Sequence, residues 1–322
     1  MRPVTPTNGV AIGADLGGSK LAVGLVSAEG RILQDKIIPT RASRGATAVL
    51  EELTTLVSEL RYHAAERQLD VRGVGVASAG LVQQADGVLL AATEALPGFA
   101  GLRLKDALEK LLSARVTVLN DVHAMALGEA LFGAGRDADE TLYISVGTGV
   151  GGALTRGANL SSGSHGLAGD IGHVVVDICP NARRCPCGRF GHLEGYVSGP
   201  ALASAYELRA KVPSLDGDLR PVSERADAGD MVAREVLTEG ARLLGRAVGG
   251  LVNLLDPELV VFGGGLISLS EDLFWRTVAT SLRNEVRGPH APRLAHARLG
   301  TNAAIVGAAA SALKADVSSP IS

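Results

Sequence analysis

All three cysteines of the chain, Cys179, Cys185 and Cys187, lie in the stretch "GHVVVDICPNARRCPCGRFGHLEG", with His173 before them and His192 after. Thiolate and imidazole are the ligands that zinc takes in tetrahedral sites, and a cluster of this kind suits one. Redox chemistry fits the same residues, as does a loop that contains sulfur without using it. Three readings stand open on these residues alone.

A second chemistry is suggested by glycine. "DLGGSK", from Asp15 to Lys20, and "GTGVGG", from Gly147 to Gly152, each follow an apolar run, and a third run, Gly263 to Gly265, does the same. A turn without side chains lets backbone N–H groups point at an anion and lets the anion come close. Asp15 adds a carboxylate that can hold magnesium through water, and Ser19 and Thr148 add hydroxyls. Any one run is equally well a tight hairpin; three together favour nucleotide phosphates. The set is not a Walker A loop, because no Lys-Ser/Thr pair follows a four-residue spacer.

In "LNDVHAMALGE", Asn120 and Asp121 stand where a strand gives way to a helix. Both residue types are good N-caps. A carboxylate at the C-terminal end of a strand also sits where α/β proteins bind ligands, and phosphoryl transfer to an alcohol needs a group that takes the hydroxyl proton.

These residues require a frame. The opening "VAIGADLGGSKLAVGLVS" reads as two strands around a turn at Gly17 and Gly18, and "RILQDKII" adds a third in an antiparallel meander. Val49, Leu53, Leu56, Val57 and Leu60 recur at helical spacing within Ala46 to Gln68. "VRGVGVA" and "VTVLN" read as buried strands, and the helix after Asn120 completes an α/β lobe. "LYISVGTGVGGALTRG" repeats the opening plan about 130 residues later, as in a duplicated fold. A long helix around Met231 to Leu255, the strand "ELVVFGGG", a helix through Leu273 to Val286 and an Ala-rich helix near "AAIVGAAASAL" follow, and the tail "DVSSPIS" is expected to fray.

Composition limits the classes of function. With 322 residues, 46% of them apolar and 20% charged, the chain is long enough for two lobes with ordinary cores. A formal charge of −3 and the lack of a long basic run argue against a nucleic-acid partner. The N-terminus lacks the apolar run of a signal peptide and no stretch is long enough to span a membrane, so a cytoplasmic protein is expected.

Taken in order, "DLGGSK", "NDVHAMALGE", "GTGVGG", "GLAGDIGH", "CPCGRFGHLE" with its following "SG", and "VVFGGG" resemble the ROK family of sugar kinases, over about Val10 to Leu313. The resemblance implies an α/β, actin-like (ribonuclease H-like) fold of two lobes around a central cleft. Residues 1–122 would form the smaller lobe, with the helix at 302–314 a candidate to pack back on it, and 123–301 the larger lobe with the zinc loop 173–192. It implies transfer of phosphate from Mg-ATP to the primary 6-hydroxyl of a hexose, and a homodimer. Asp121 would be the catalytic base. Ala79, Gly80, Ala95, Asn120, Asp121, His123, Asp170, His173 and Glu194 would meet the sugar. Asp15, Gly17, Gly18, Ser19, Lys20, Gly147, Thr148, Gly149, Gly263, Gly264 and Gly265 would meet ATP. His173, Cys185, Cys187 and His192 would hold a structural zinc, with Cys179 as the alternative fourth ligand.

Four positions depart from the family pattern. Its Asn-Leu-Pro-Gly reads Ala95-Leu96-Pro97-Gly98, the last Asn of its "NDVN" is His123, the Glu of its "GEIGH" is Asp170, and its third ligand Cys is His192. Asp121 and Glu194 remain. Chemistry is thus expected to be kept while hydroxyl recognition changes, which favours a modified hexose such as the aminosugar kanosamine over glucose. An ordinary glucokinase is the alternative, and a non-catalytic sugar-binding or regulatory protein is the rival from another class. About nine residues precede the first strand, too few for the helix-turn-helix domain such regulators carry.

Overall fold

Every residue of β1 (Gly9–Leu16) is buried, which places this strand inside a sheet. In the computed structural model, which describes residues 9–93, 95–269 and 271–317, β1 pairs antiparallel with β2 (Lys20–Ser27), and β2 pairs antiparallel with β3 (Ile32–Pro39). On its other side β1 runs parallel to β4 (Asp70–Ser78). After a separate hairpin, β5 (Leu81–Gln83) with β6 (Val88–Ala91), the strand β7 (Val116–Asn120) completes the order β3-β2-β1-β4-β7. Only β3, at the edge, alternates half-buried with exposed residues, as a strand with one wet face does.

One face of this sheet is covered by α1 (Ala46–Glu66) and α2 (Leu104–Leu112), through Leu53, Val57, Leu60, Leu104 and Leu108 against Ile12, Leu16 and Val76. The other face meets the last helix, 303–317, at backbone contact. A Cβ on Gly13 would lie 1.9 Å from the Ile305 carbonyl oxygen, and one on Gly75 would lie 1.8 Å from that of Ala308. Only glycine permits the approach.

The second sheet has the same plan. Its strands are β8 (Glu140–Val146), β9 (Val150–Arg156), β10 (Asn159–Ser161), β11 (Leu259–Gly263) and β12 (Arg293–His296), in the order β10-β9-β8-β11-β12. The β8–β11 and β11–β12 pairs are parallel. In each sheet a glycine turn joins the first two strands in sequence, so the echo read from the sequence is an echo of topology. The helices after α3 (Asp121–Phe132) are α4 (Glu194–Val197), α5 (Gly199–Ala210), α6 (Arg220–Asp227), α7 (Met231–Leu255), α8 (Gly265–Leu269), α9 (Arg276–Glu285) and α10 (Ala303–Val317). The helix expected over 273–286 starts at Arg276, after a widened turn at Glu271–Trp275.

The described chain divides into two compact units, 9–137 with 154–168 and 298–317, and 138–153 with 169–297. This corrects the expected boundary at 122/123. Helix α3 stays in the first unit because Ala124 and Leu127 pack with Ala77 and Leu119 of its sheet and with Ala304 and Ala308 of α10. The tail expected to fray, from 318 on, and residues 1–8 lie outside the described residues. No helix among the described residues is long and apolar enough to cross a membrane.

Candidate active site and metal centre

In the first unit, the parallel strands β1, β4 and β7 end side by side, with Asp15 opposite Ala77 and Ser78 opposite Asn120. That register delivers Asp15, Ala79, Gly80, Asn120 and Asp121 to one end of the sheet. Gly80 has φ +107, and a Cβ there would meet the Ala91 carbonyl oxygen at 2.3 Å, so the bend after β4 requires glycine. Its carbonyl then accepts the Asn120 Nδ2 proton at 2.9 Å.

Asn120 is both cap and guide. Its Oδ1 accepts from the N–H groups of Val122, at 2.9 Å, and His123, at 3.1 Å, which caps α3. Its second amide proton goes to Asp121 Oδ1 at 2.9 Å. Two donors and two acceptor positions are thereby committed, which ties Asn120 to Gly80, the head of α3 and Asp121. Val122 N–H also donates to Asp121 Oδ1, at 2.9 Å. Both bonds fall on Oδ1, and none from another described residue falls on Oδ2. Burial pushes the Asp121 carboxyl up to about 6, the Asp15 charge adds to that rise, and the hydrogen bonds oppose it. Asp15 itself is raised by burial and held down in part by Lys20, whose Nζ stands 3.8 Å away.

The turn at Gly17 to Ser19 is held from behind. The buried Thr40 donates its hydroxyl to the Gly17 carbonyl at 2.6 Å and its N–H to the Ser19 carbonyl at 3.1 Å. A Cβ on Gly18 would fall 2.2 Å from the Ala95 side chain, so Ala95, expected at the sugar, packs against this turn. His123 is engaged within the protein as well. It is buried at 6% exposure, and its Nε2 lies 3.1 Å from the Ala168 carbonyl oxygen. A carbonyl only accepts, so that nitrogen carries the proton and is already engaged.

In the second unit, the turn at Gly147 to Gly149 has a different support. Val150 N–H donates to Glu194 Oε2 at 2.8 Å, and Gly199 N–H donates to the Gly147 carbonyl at 2.8 Å. Thr148 at its tip is exposed. The Gly263 to Gly265 run packs on the end of β8: Gly264 has φ +91, and a Cβ there would meet the Val146 carbonyl oxygen at 2.2 Å.

Glu194 also leads to the cysteine loop, because its Oε1 lies 3.8 Å from Cys185 Sγ. Ligand atoms of His173, Cys185, Cys187 and His192 all fall within 4.8 Å of one another. Cys187 Sγ is 3.2 Å from His192 Nδ1, and Cys185 Sγ is 3.7 Å from His173 Nδ1. A tetrahedral zinc with ordinary bond lengths separates sulfur and nitrogen ligands by ~3.6 Å, so the four residues fit the ion. Burial pushes the Cys185 thiol up to about 12; a thiolate there calls for a cation. Asp170 Oδ2 lies 3.9 Å from His173 Nε2, beside the imidazole but beyond hydrogen-bond length. Cys179 stands apart from the four; it is exposed, and its N–H donates to Asp177 Oδ1 at 2.9 Å.

The sequence reading missed Thr40 altogether and Glu194 as the support of a glycine turn. Neither has a local signature, since their partners are 23 and 44 positions away.

A model of the ROK family matches residues 11–315. The chain is 36% identical over 298 residues to an N-acetylmannosamine kinase of Escherichia coli O139:H28 (strain E24377A), with 92% of this chain and 95% of that one covered. Among solved structures, a ROK hexokinase from Thermus thermophilus matches with a TM-score of 0.85 at 29% identity, covering 96% of this chain and 100% of that one. A ROK family glucokinase from Streptomyces griseus, in complex with glucose and AMPPNP, matches with a TM-score of 0.80 at 33% identity, covering 95% and 99%.

Proposed function

The chain belongs to the ROK family, has its two-lobed actin-like α/β fold and is an ATP-dependent sugar kinase; on that premise we propose that it phosphorylates the primary 6-hydroxyl of an aminosugar, with Asp121 as general base. The observation that carries the chemistry is the Asp121 carboxyl at the head of α3, with Oδ1 fixed by Asn120 and Val122 and Oδ2 unengaged among the described residues. A carboxyl raised to about 6 is mostly ionised at pH 7 yet basic enough to accept a proton. Asp121 takes the proton of the 6-hydroxyl as that oxygen bonds to the γ-phosphorus; the bond from phosphorus to the bridging oxygen breaks and ADP leaves.

Glycine turns at 17–19, 147–149 and 263–265 supply backbone N–H groups for the phosphates. Magnesium brought in on the nucleotide neutralises phosphate charge, and Asp15 is the carboxylate we assign to it. His173, Cys185, Cys187 and His192 would hold a zinc ion, which would order the loop that leads into Glu194. A homodimer is the proposed assembly.

The aminosugar preference rests on Ala95 and Asp170, where the family pattern has an amide and a longer acid, and is supported by the likeness to an N-acetylmannosamine kinase. Kanosamine is the sugar we favour. A coupled ADP-release assay over glucose, kanosamine, glucosamine, mannose and N-acetylmannosamine should give an amino or acylamino sugar the highest kcat/KM. Restoring the pattern with Ala95→Asn and Asp170→Glu should then raise kcat/KM for glucose relative to that sugar by about tenfold, the value of one regained hydroxyl contact. A wild-type enzyme that prefers glucose to every amino analogue would return it to the ordinary glucokinases.

A further inference from the structure

Glu129 is a buried carboxylate with no part in the chemistry described so far. It lies in the last turn but one of α3, at 1% exposure. Its Oε1 accepts from the N–H groups of Arg298, at 2.8 Å, and Leu299, at 2.7 Å, which stand 169 and 170 positions further along the chain. Its Oε2 accepts from Ala134 N–H at 2.7 Å. The Glu129 carbonyl takes two more N–H groups, those of Gly133 and Gly135, both at 3.0 Å. A Cβ on Gly133 would fall 2.0 Å from Oε2, so the residue after the helix must be glycine for the carboxylate to fit.

These donors come from two ends of the chain that belong to one unit. Ala134 lies just before the chain leaves the first unit at Asp137, and Arg298 is where it returns to lead into α10. Glu129 therefore binds the exit segment and the re-entry segment to α3 with the two oxygens of one group. The helices it joins are in backbone contact: a Cβ on Gly307 of α10 would lie 1.7 Å from the Ala124 carbonyl oxygen of α3. Such an interface has no slack sideways. Its remaining freedom is a slide or tilt of α3 along α10, and bonds at the C-terminal end of α3 to the entry of α10 oppose that motion.

The first residue of α3 is Asp121, and α10 rests directly on β1, which carries Asp15. We propose that Glu129 is a positioning residue for Asp121, seating α3 against the entry to α10 and so fixing the depth at which the Asp121 carboxyl is held beside Asp15. The inference rests on the reading of Asp121 as the base. It accounts for a buried acid whose three side-chain partners are all backbone N–H groups, an arrangement suited to holding chain segments in register rather than to binding a ligand.

Glu129→Gln keeps shape but replaces one acceptor oxygen by an NH₂ group that faces an N–H donor, releasing one of the two segments. Amide hydrogen exchange in the intact enzyme should quicken at Ala134 or at Arg298 and Leu299. With turnover normalised to the folded fraction, kcat should fall roughly tenfold, because small displacements of a reacting group are costly. The acid limb of the pH profile of kcat/KM should move to lower pH by about half a unit or more. The groups that act on Asp121 are Asp15 from β1 and the Asn120 amide and Val122 N–H beside it, and looser seating admits water to all of them. Faster exchange with the acid limb unmoved would make Glu129 a merely structural residue and overturn the proposal, as would unchanged exchange. If Glu129→Gln yields no folded protein, Glu129→Asp, too short to reach both segments, is judged by the same two readouts. Asp121→Asn separates the premise: if it keeps both turnover and the acid limb, the base assignment falls, whereas loss of both leaves Glu129 to be decided by its own profile.

Discussion

The two glycine turns sit at the same place in two sheets of the same strand order, yet they are held by different chemistry. Behind the turn at 17–19 stands Thr40, a neutral hydroxyl with 0% exposure, bonded to the Gly17 carbonyl. Behind the turn at 147–149 stands the Glu194 carboxylate, bonded to Val150 N–H and adjoining Cys185 of the metal set. The first turn is thus backed by a buried neutral hydroxyl, and the second by a carboxylate that adjoins residues able to hold a metal. A duplicated topology thus holds one turn through a buried hydroxyl and the other through a carboxylate beside a candidate metal set.

The largest effect should come from the first unit. Asp121→Asn keeps the bonds to Asn120 and Val122 but accepts no proton, so turnover should drop by roughly 10²–10⁴ with ATP still bound. The same variant has a stability signature. With the folded carboxyl raised to about 6, the folded chain holds a proton that the unfolded chain has released between the ordinary carboxylate range and pH 6. The contribution of this position to stability is therefore lost as pH rises through that window. Asp121→Asn escapes the loss and should melt above wild type at pH 7.5 but not at pH 4; equal melting at both values would contradict the raised carboxyl.

The second effect sets the turns against each other. Elemental analysis should find one zinc per chain, and Cys185→Ser or exhaustive chelation should raise KM for ATP roughly tenfold as Glu194 loses its support. Asp121 should keep its pH profile under the same treatment. Zinc retained in His192→Ala but lost in Cys179→Ala would transfer the fourth ligand to Cys179, and metal-free protein with normal KM would break the link between loop and turn.

The smallest effect should be that of Thr40→Val, which has nearly the same shape but leaves the Gly17 carbonyl unpaired, at a cost of about 1–3 kcal/mol. Melting should fall accordingly, with a modest rise in KM for ATP that chelation leaves unchanged. A chelator-sensitive Thr40→Val phenotype would mean that the two turns are not independently held.

Much of the candidate site was legible because its signals are local. The glycine turns, the Asn120 cap and the His/Cys spacing each depend on neighbours within a few positions, and all three lie where the pattern placed them. Roles were harder to read than places. Asn120 and His123 were expected at the sugar, but their hydrogen bonds go to Gly80, Asp121 and Ala168. Gly18 and Gly149 were read as room for phosphate; a Cβ on either would also strike a protein neighbour, Ala95 at 2.2 Å or Glu194 Oε2 at 2.7 Å. Substitution there disturbs the support of the turn as well as any anion before it.

By itself the sequence determined the alternation of strands and helices, the duplicated hairpins, the order of motifs that marks the family, and a His/Cys cluster whose fourth ligand it left between His192 and Cys179. Periodicity and spacing encode these, because each depends on contacts short in sequence. Only the tertiary structure decided that α3 belongs to the first unit, that Thr40 and Glu194 support different turns, and that Glu129 accepts from an N–H group 169 positions away. Such partners leave no periodic trace, since a buried acceptor is chosen by whichever N–H groups folding brings to it.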